Sequence, residues 1–365
     1  MTVLAPFRGA NVSALLDPWT HAGQVATKRA QLDRFELGGI ENLGANFAVS
    51  RFPGVGPALG GEPAAVRVLI VGGGYCGITA AHALDGLEDR VQVIVADRSP
   101  VAEEKKKTKK AIYKSMPGWE KYVRPYEARL RKPVGIVHGE ALGLDFGANR
   151  VTFPGWGIEY DIAVLTTGCH VNTLGNPQIL ESTYSLDTFD QALAFRKSVL
   201  EHYKRNDSDA DRTAVIVGAG LTGLDAIEAT LELRKEKRLR KLKIVVVHSG
   251  KSTKKLKKLS EKTGVTVHTG CRASVDGNAV HLKDGTVIEA STIGWHVGLQ
   301  GHSLLAEAGL PVDANGRVLV NKRLNAMGGP DNVFFGGDAV SGAKANIDNA
   351  KRQGKAIGRR IREYL

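Results

Sequence analysis

Two short glycine runs carry the clearest chemistry in the chain: Gly72, Gly74 and Gly77 after the apolar stretch from Val66 to Val71, and Gly218, Gly220 and Gly223 after the stretch from Thr213 to Val217. In a G-x-G-x-x-G run the first glycine permits a tight strand-to-helix turn. The second lets the backbone approach a pyrophosphate, and the third lets the helix lie against the strand. The phosphate then meets the positive end of the helix. One such match is weak in a chain with 43 glycines among 365 residues. Two matches, each with the right flanks, read as two dinucleotide sites and so as electron relay. Asp97 ends the apolar run that follows the first glycines, where a carboxylate can accept both hydroxyls of an adenosine ribose.

Those residues need strand, turn, helix and strand in succession, and the sequence supplies this order twice. Val66 to Val71, Ile78 to Leu87 and Val91 to Asp97 make one βαβ unit; Thr213 to Val217, the helix beyond Leu224 and Lys243 to Ser249 make the other. The predicted fold class is therefore α/β with two Rossmann-like units. Before them, residues 1–65 read as an extension with scattered helical hints between Val25 and Leu37, closing in a glycine- and proline-rich linker from Phe52 to Pro63. The lysine run from Lys105 to Lys110 opens a polar segment predicted helical to about Arg131. It reads as exposed surface and is given no role.

At 42% hydrophobic and 24% charged residues the composition is that of an ordinary soluble domain, and the length suits two compact domains. No apolar stretch reaches the roughly 20 residues of a membrane helix. Cys76, Cys169 and Cys271 lie far apart with no C-x-x-C pair, which argues against a disulfide framework or a zinc knuckle. A reducing compartment follows, with the cytoplasm expected. Acids are sparse before Asp33, which keeps a mitochondrial or other organellar address as an alternative, although the arginine and serine bias of a transit peptide is missing. The net charge of +12 comes from one stretch above all: residues 234–258 hold twelve lysines and arginines against Glu236 alone. A solvated face, a 2′-phosphate site, an anionic membrane and nucleic acid are all open readings of it. No aromatic side chains interleave to favour single-stranded nucleic acid.

Tyr160 to Leu165 leads into Thr166-Thr167-Gly168, and Asn332 to Phe335 into Gly336-Gly337-Asp338. With these two added, residues 66–365 resemble the two-dinucleotide flavoprotein reductases. This is the pyridine nucleotide-disulfide oxidoreductase superfamily, which holds glutathione reductase, thioredoxin reductase, type II NADH dehydrogenase and apoptosis-inducing factor. The resemblance is nearest to the last two. It implies an FAD-binding domain over residues 66–180 and 300–365, with an NAD(P)-binding domain inserted at 181–299. FAD would lie on Gly72, Gly74, Gly77, Asp97, Thr167, Gly168 and Asp338, with the helix after Ala343 aimed at the isoalloxazine. The nicotinamide nucleotide would lie on Gly218, Gly220, Gly223 and His248. His248 stands where NADH-selective members carry a carboxylate. With Ser249, Lys251, Lys254 and Lys255 near it, NADPH is expected ahead of NADH. Asp225 falls where relatives place a glutamate beside the nicotinamide, and is the candidate catalytic side chain. A first-turn acid complementing the helix dipole is its plainer reading. Trp295 in Gly294-Trp295-His296-Val297-Gly298 is expected to pack at the second crossover between domains, and Cys76 to pack near the pyrophosphate.

The departures narrow the chemistry. With no cysteine pair, disulfide reduction is not supported. Only the end of the quinone-site pattern of type II dehydrogenases survives, as Gln353-Gly354. The expected function is an FAD-dependent NAD(P)H oxidoreductase that passes hydride from NADPH to flavin, and electrons onward to a quinone, a small carrier or oxygen. The alternative is an apoptosis-inducing-factor-like flavoprotein whose basic stretch at 234–258 binds nucleic acid or an anionic membrane, with redox state as a switch.

Overall fold

The computed structural model describes residues 49–50, 66–99, 101–104, 107–114, 123–130 and 134–365. The helical hints and the linker of the extension, and Lys105 and Lys106, lie outside them. The first unit opens with β1 (Val66–Val71), α1 (Tyr75–His82) and β2 (Val91–Asp97), continues through a short α2 (Thr108–Tyr113) to β3 (Val134–His138) and β4 (Ile162–Leu165), and leaves through β5 (Cys169–Val171). The second unit follows with α3 (Phe189–Arg205), β6 (Thr213–Val217), α4 (Leu221–Glu236), β7 (Lys243–His248), α5 (Lys254–Thr263), β8 (Thr266–Thr269) and β9 (Thr292–Trp295). The chain returns through β10 (Leu299–Gly301) and ends on β11 (Val333–Phe335) and α6 (Ile347–Tyr364).

The first sheet runs β3-β2-β1-β4-β11, all parallel, with Val49–Ser50 added antiparallel on β3. The second runs β8-β7-β6-β9, also parallel. Parallel strands covered on both faces have no solvated side, and in each unit helices pack one face of the sheet while antiparallel strands pack the other. Accordingly β4 and β6 are buried at every position. Between the sheets the two crossings of the chain, β5 and β10, pair antiparallel, with Cys169 opposite Gly301. A three-stranded meander hangs from each unit, at 143–159 and at 273–289. No helix of the described residues is long and apolar enough to cross a membrane.

Among the described residues of the segment expected to be helical from Lys105 to about Arg131, α-helix is confined to Thr108–Tyr113; Val101–Glu103 pairs antiparallel with Val123–Pro125, and a 3-10 turn follows at Tyr126–Ala128. Pro125 has no N–H for a helical ladder and disfavours helix in the residue before it. α2 itself leans on the second unit, since Ala111 and Ile112 belong to the same buried cluster as Phe189, Ile216 and Leu233.

α6 lies along α1 with glycine at the contact. A Cβ on Gly354 would stand 2.4 Å from the Cys76 carbonyl oxygen. Gln353 beside it accepts a hydrogen bond from the Gly337 N–H at 2.8 Å. These two survivors of the quinone pattern thus brace the first glycine loop and the Asp338 turn.

Candidate functional site

The two glycine loops are built to one plan. Gly72 (φ +104°) and Gly218 (φ +97°) take a left-handed backbone, and a Cβ on either would stand 2.2 Å from a carbonyl oxygen, that of Thr166 or of His296. A Cβ on Gly77 or Gly223 would fall 2.0 Å from the carbonyl oxygen of Gly72 or Gly218. Each loop is therefore locked between its own helix and the end of a neighbouring strand, where only hydrogen fits. Gly74 and Gly220 differ. A Cβ there would meet nothing within 4 Å, because both sit at a helix N-terminus with no side-chain cap and face the cavity. The first N–H groups of α1 and α4 thus lack the cap that usually satisfies them, an arrangement made for an anion.

Both loops open on a single cavity of about 1380 Å³. From the first unit it is lined by Gly72 to Cys76, Asp97, Thr166, Thr167, Gly168 and Asp338; from the second by Gly218, Gly220, Asp225, His248 and His296. Of the residues assigned above to the two nucleotides and to catalysis, all line it except Gly77 and Gly223, whose place is under the loops.

Asp97 is held from three sides. Its Oδ2 accepts from the Gly73 N–H at 2.6 Å and its Oδ1 from the Ser99 N–H at 2.8 Å. The buried Tyr126 hydroxyl bonds it as well, and that contact together with burial pushes the phenol well above its ordinary range, burial being the larger cause. Tyr126 also explains why Gly73 is glycine, since a Cβ there would lie 2.4 Å from the ring. A carboxylate oxygen can take a second donor, so Asp97 keeps capacity for a hydroxyl pair. Thr166 Oγ1 donates to the Gly72 carbonyl at 2.7 Å and keeps the loop closed. Thr167 Oγ1 is buried and finds no partner among the described residues.

Asp338 sits in the 3-10 turn Gly337–Ala339 between β11 and α6. Its carbonyl accepts from the Cys169 thiol at 2.9 Å and from Arg317 Nε at 2.8 Å, which leaves Arg317 Nη2 buried without a partner among the described residues. Burial pushes the Cys169 thiol up to about 11 and the Cys76 thiol to about 12. Neither is a thiolate at neutral pH, so neither is an activated nucleophile. Cys76 packs as expected, since a Cβ on Gly336 would stand 2.5 Å from its sulfur. Trp295 is buried at the crossover, with Nε1 donating to the Asn172 carbonyl at 2.8 Å.

In the second unit two findings depart from the sequence reading and a third adds to it. α4 begins at Leu221, so Asp225 lies beyond its first turn and is no dipole-complementing first-turn acid. It pairs instead with Lys109 of α2, Nζ to Oδ1 at 2.6 Å. Lys109 belongs to the run read as plain surface, and its hydrogen bond to Asp225 raises the lysine above its ordinary range. Nothing in the sequence linked the two, because α2 and α4 are brought together only by the folded chain. Secondly, Ser249 lines the cavity beside His248 but Lys251, Lys254 and Lys255 do not; Lys255 bonds Glu228 at 2.8 Å. Arg272 lines that end instead, from the loop after β8. Thirdly, His296 is buried at the cavity wall, and burial depresses its imidazole to about 4. The basic residues between Arg234 and Lys243 lie away from this cavity. Arg234 caps the end of α5 by donating to the Thr263 carbonyl at 2.7 Å, and Lys243 pairs with Asp209 at 2.9 Å.

Comparison with known proteins matches this arrangement. The family model of pyridine nucleotide-disulphide oxidoreductases fits residues 66–354. A NADH dehydrogenase-like protein of Bacillus subtilis is 26% identical over 291 residues, covering 75% of this chain and 77% of that one. The fold is similar to that of a sulfide:quinone oxidoreductase from Aquifex aeolicus, with TM-score 0.69 at 20% identity over 82% of this chain and 77% of that one. It is also similar to a NAD-dependent persulfide reductase from A. fulgidus, with TM-score 0.67 at 20% identity over 81% of this chain. The chain spans 59% of that reductase's length.

Proposed function

Since the chain belongs to the pyridine nucleotide-disulphide oxidoreductase family, we propose that it is a flavin-dependent NADPH oxidoreductase working without a redox disulfide, with a quinone or a small carrier as acceptor. The observation that carries this reading is the pair of matched glycine loops, each with an uncapped helix N-terminus, opening on one cavity. One dinucleotide would need one such loop. The three cysteines are all free, and the two with raised thiols are poorly suited to thiol exchange.

The residues fit FAD in the first unit and a nicotinamide nucleotide in the second. Gly74 and the first N–H groups of α1 would hold the FAD pyrophosphate, Asp97 the adenosine ribose, and Asp338 the ribityl chain, with Thr167 and Gly168 beside them. Gly220 and the start of α4 would hold the second pyrophosphate, with His248 and Ser249 at its adenosine end. FAD, when bound, supplies a two-electron acceptor that can release electrons singly. The protein's part is to stack two rings in one cavity and keep water from between them. The Lys109–Asp225 pair ties α2 to α4 at the wall of the cavity. Neither residue needs to move a proton for hydride to pass.

The test is flavin retention in purified protein. Asp338→Ala is expected to weaken FAD binding roughly ten- to a hundredfold, about 1.5–3 kcal/mol. Unchanged retention would remove Asp338 from the site. The exposed lysines of α5 leave room for a second reading, docking on an anionic membrane or on nucleic acid, but none of Lys254, Lys257 and Lys258 lines the cavity. The two activities are therefore separable by substitution.

A further inference from the structure

The adenosine end of the second loop is closed by side chains from two different strand exits. β7 ends at His248 and runs on to Ser249; β8 ends at Thr269, opposite His248 in register, and turns through Gly270 into Cys271 and Arg272. Two backbone hydrogen bonds clip the exits together, Gly270 N–H to the Gly250 carbonyl at 2.9 Å and Cys271 N–H to the His248 carbonyl at 3.3 Å. The Arg272 carbonyl accepts from the Lys283 N–H at 3.2 Å, so its backbone is fixed while its side chain stays exposed. Arg272, Ser249 and His248 thereby line the same end of the cavity, with Val247, Cys271 and Ala273 and, among the described residues, no carboxylate between them.

We propose that Arg272 selects a 2′-phosphorylated nicotinamide nucleotide, its guanidinium pairing with the 2′-phosphate while Ser249 and His248 donate from the opposite exit. This rests on the second unit being the nicotinamide half. A guanidinium is charged at every physiological pH and presents parallel N–H donors that match a phosphate. His248 offers an N–H in either tautomer and Ser249 a hydroxyl. The lysines nearer in sequence do not line the cavity, and Lys255 bonds Glu228 at 2.8 Å. A carboxylate in this place would instead take the 2′-hydroxyl and repel the phosphate.

The experiment is calorimetric titration of the flavin-loaded protein with adenosine 2′,5′-bisphosphate and with 5′-AMP. The unsubstituted protein is expected to bind the bisphosphate more tightly. Arg272→Ala should weaken the bisphosphate about ten- to a hundredfold and leave 5′-AMP unchanged; Arg272→Lys should recover part of the loss. Unchanged flavin absorbance and melting temperature would show that the variant is folded. If Arg272→Ala keeps the preference, or weakens both nucleotides alike, Arg272 is not the selector. If the unsubstituted protein binds neither nucleotide, the nicotinamide reading of this unit falls, and Arg272's role with it.

Discussion

Lys109 Nζ and Asp225 Oδ1 stand 2.6 Å apart, joining a helix that follows the strand ending in Asp97 to the glycine-loop helix of the second unit. Both line the cavity between the loops. Half-exposed pairs add little to stability, so the contact matters for placement. Asp225→Asn and Lys109→Met are each expected to slow flavin reduction by NADPH about tenfold while FAD stays bound, a misplacement effect. The double variant should be no slower than the worse single one, because both remove one contact. Stopped-flow reduction of all three variants gives the answer, and additive losses would mean two separate roles.

The glycines divide by what surrounds them. Gly77→Ala and Gly223→Ala force a methyl onto a carbonyl oxygen at 2.0 Å, and each should destabilise the fold by about 1–3 kcal/mol or more. Gly74→Ala and Gly220→Ala enter open space, and should leave stability in denaturant within about 0.5 kcal/mol. Their effect is expected on ligands alone: Gly74→Ala on FAD affinity, Gly220→Ala on the NADPH Michaelis constant. Equal melting temperatures for Gly74→Ala and Gly77→Ala would speak against this division.

How much of this was legible before the fold was known follows from range. The turn at Gly72, the strand ending in Asp97 and the pairs at Thr167-Gly168 and Gly337-Asp338 are local patterns, and the cavity gathers them. Lys109 and Arg272 were not legible, because each reaches the site through a contact between segments distant in sequence. For Lys109 it is the packing of α2 on the second unit; for Arg272 it is the clip between two strand exits. Lys251, Lys254 and Lys255 were misjudged for the converse reason: nearness in sequence to His248 did not put them on the cavity.

His296 makes stability depend on pH. Burial lowers its pKa to about 4 from an ordinary 6.5, so between those values the unfolded chain holds the extra proton and stability rises with pH. The contribution is complete above about pH 6.5 and is lost as pH falls toward 4, about 3 kcal/mol in all. Urea unfolding at pH 7.5 and 5 should show about 2 kcal/mol of this loss in the parent protein and a smaller one in His296→Gln. An identical pH response in both would assign it to other groups.

The basic stretch separates from the reductase activity. Lys254, Lys257 and Lys258 are exposed on α5 and do not line the cavity. Replacing all three with glutamate is expected to change the NADPH Michaelis constant less than about twofold, and any phosphate-driven binding to nucleic acid by far more. A large rise in that constant would place α5 at the nucleotide after all.

The measurement that bears most directly on the two-loop reading is an anaerobic spectral titration of the purified protein, first with NADPH and then, on a fresh sample, with NADH. A yellow protein should bleach stoichiometrically with NADPH, and with NADH only at higher concentration. A protein that stays colourless after incubation with FAD, or whose flavin neither nucleotide reduces, would refute it.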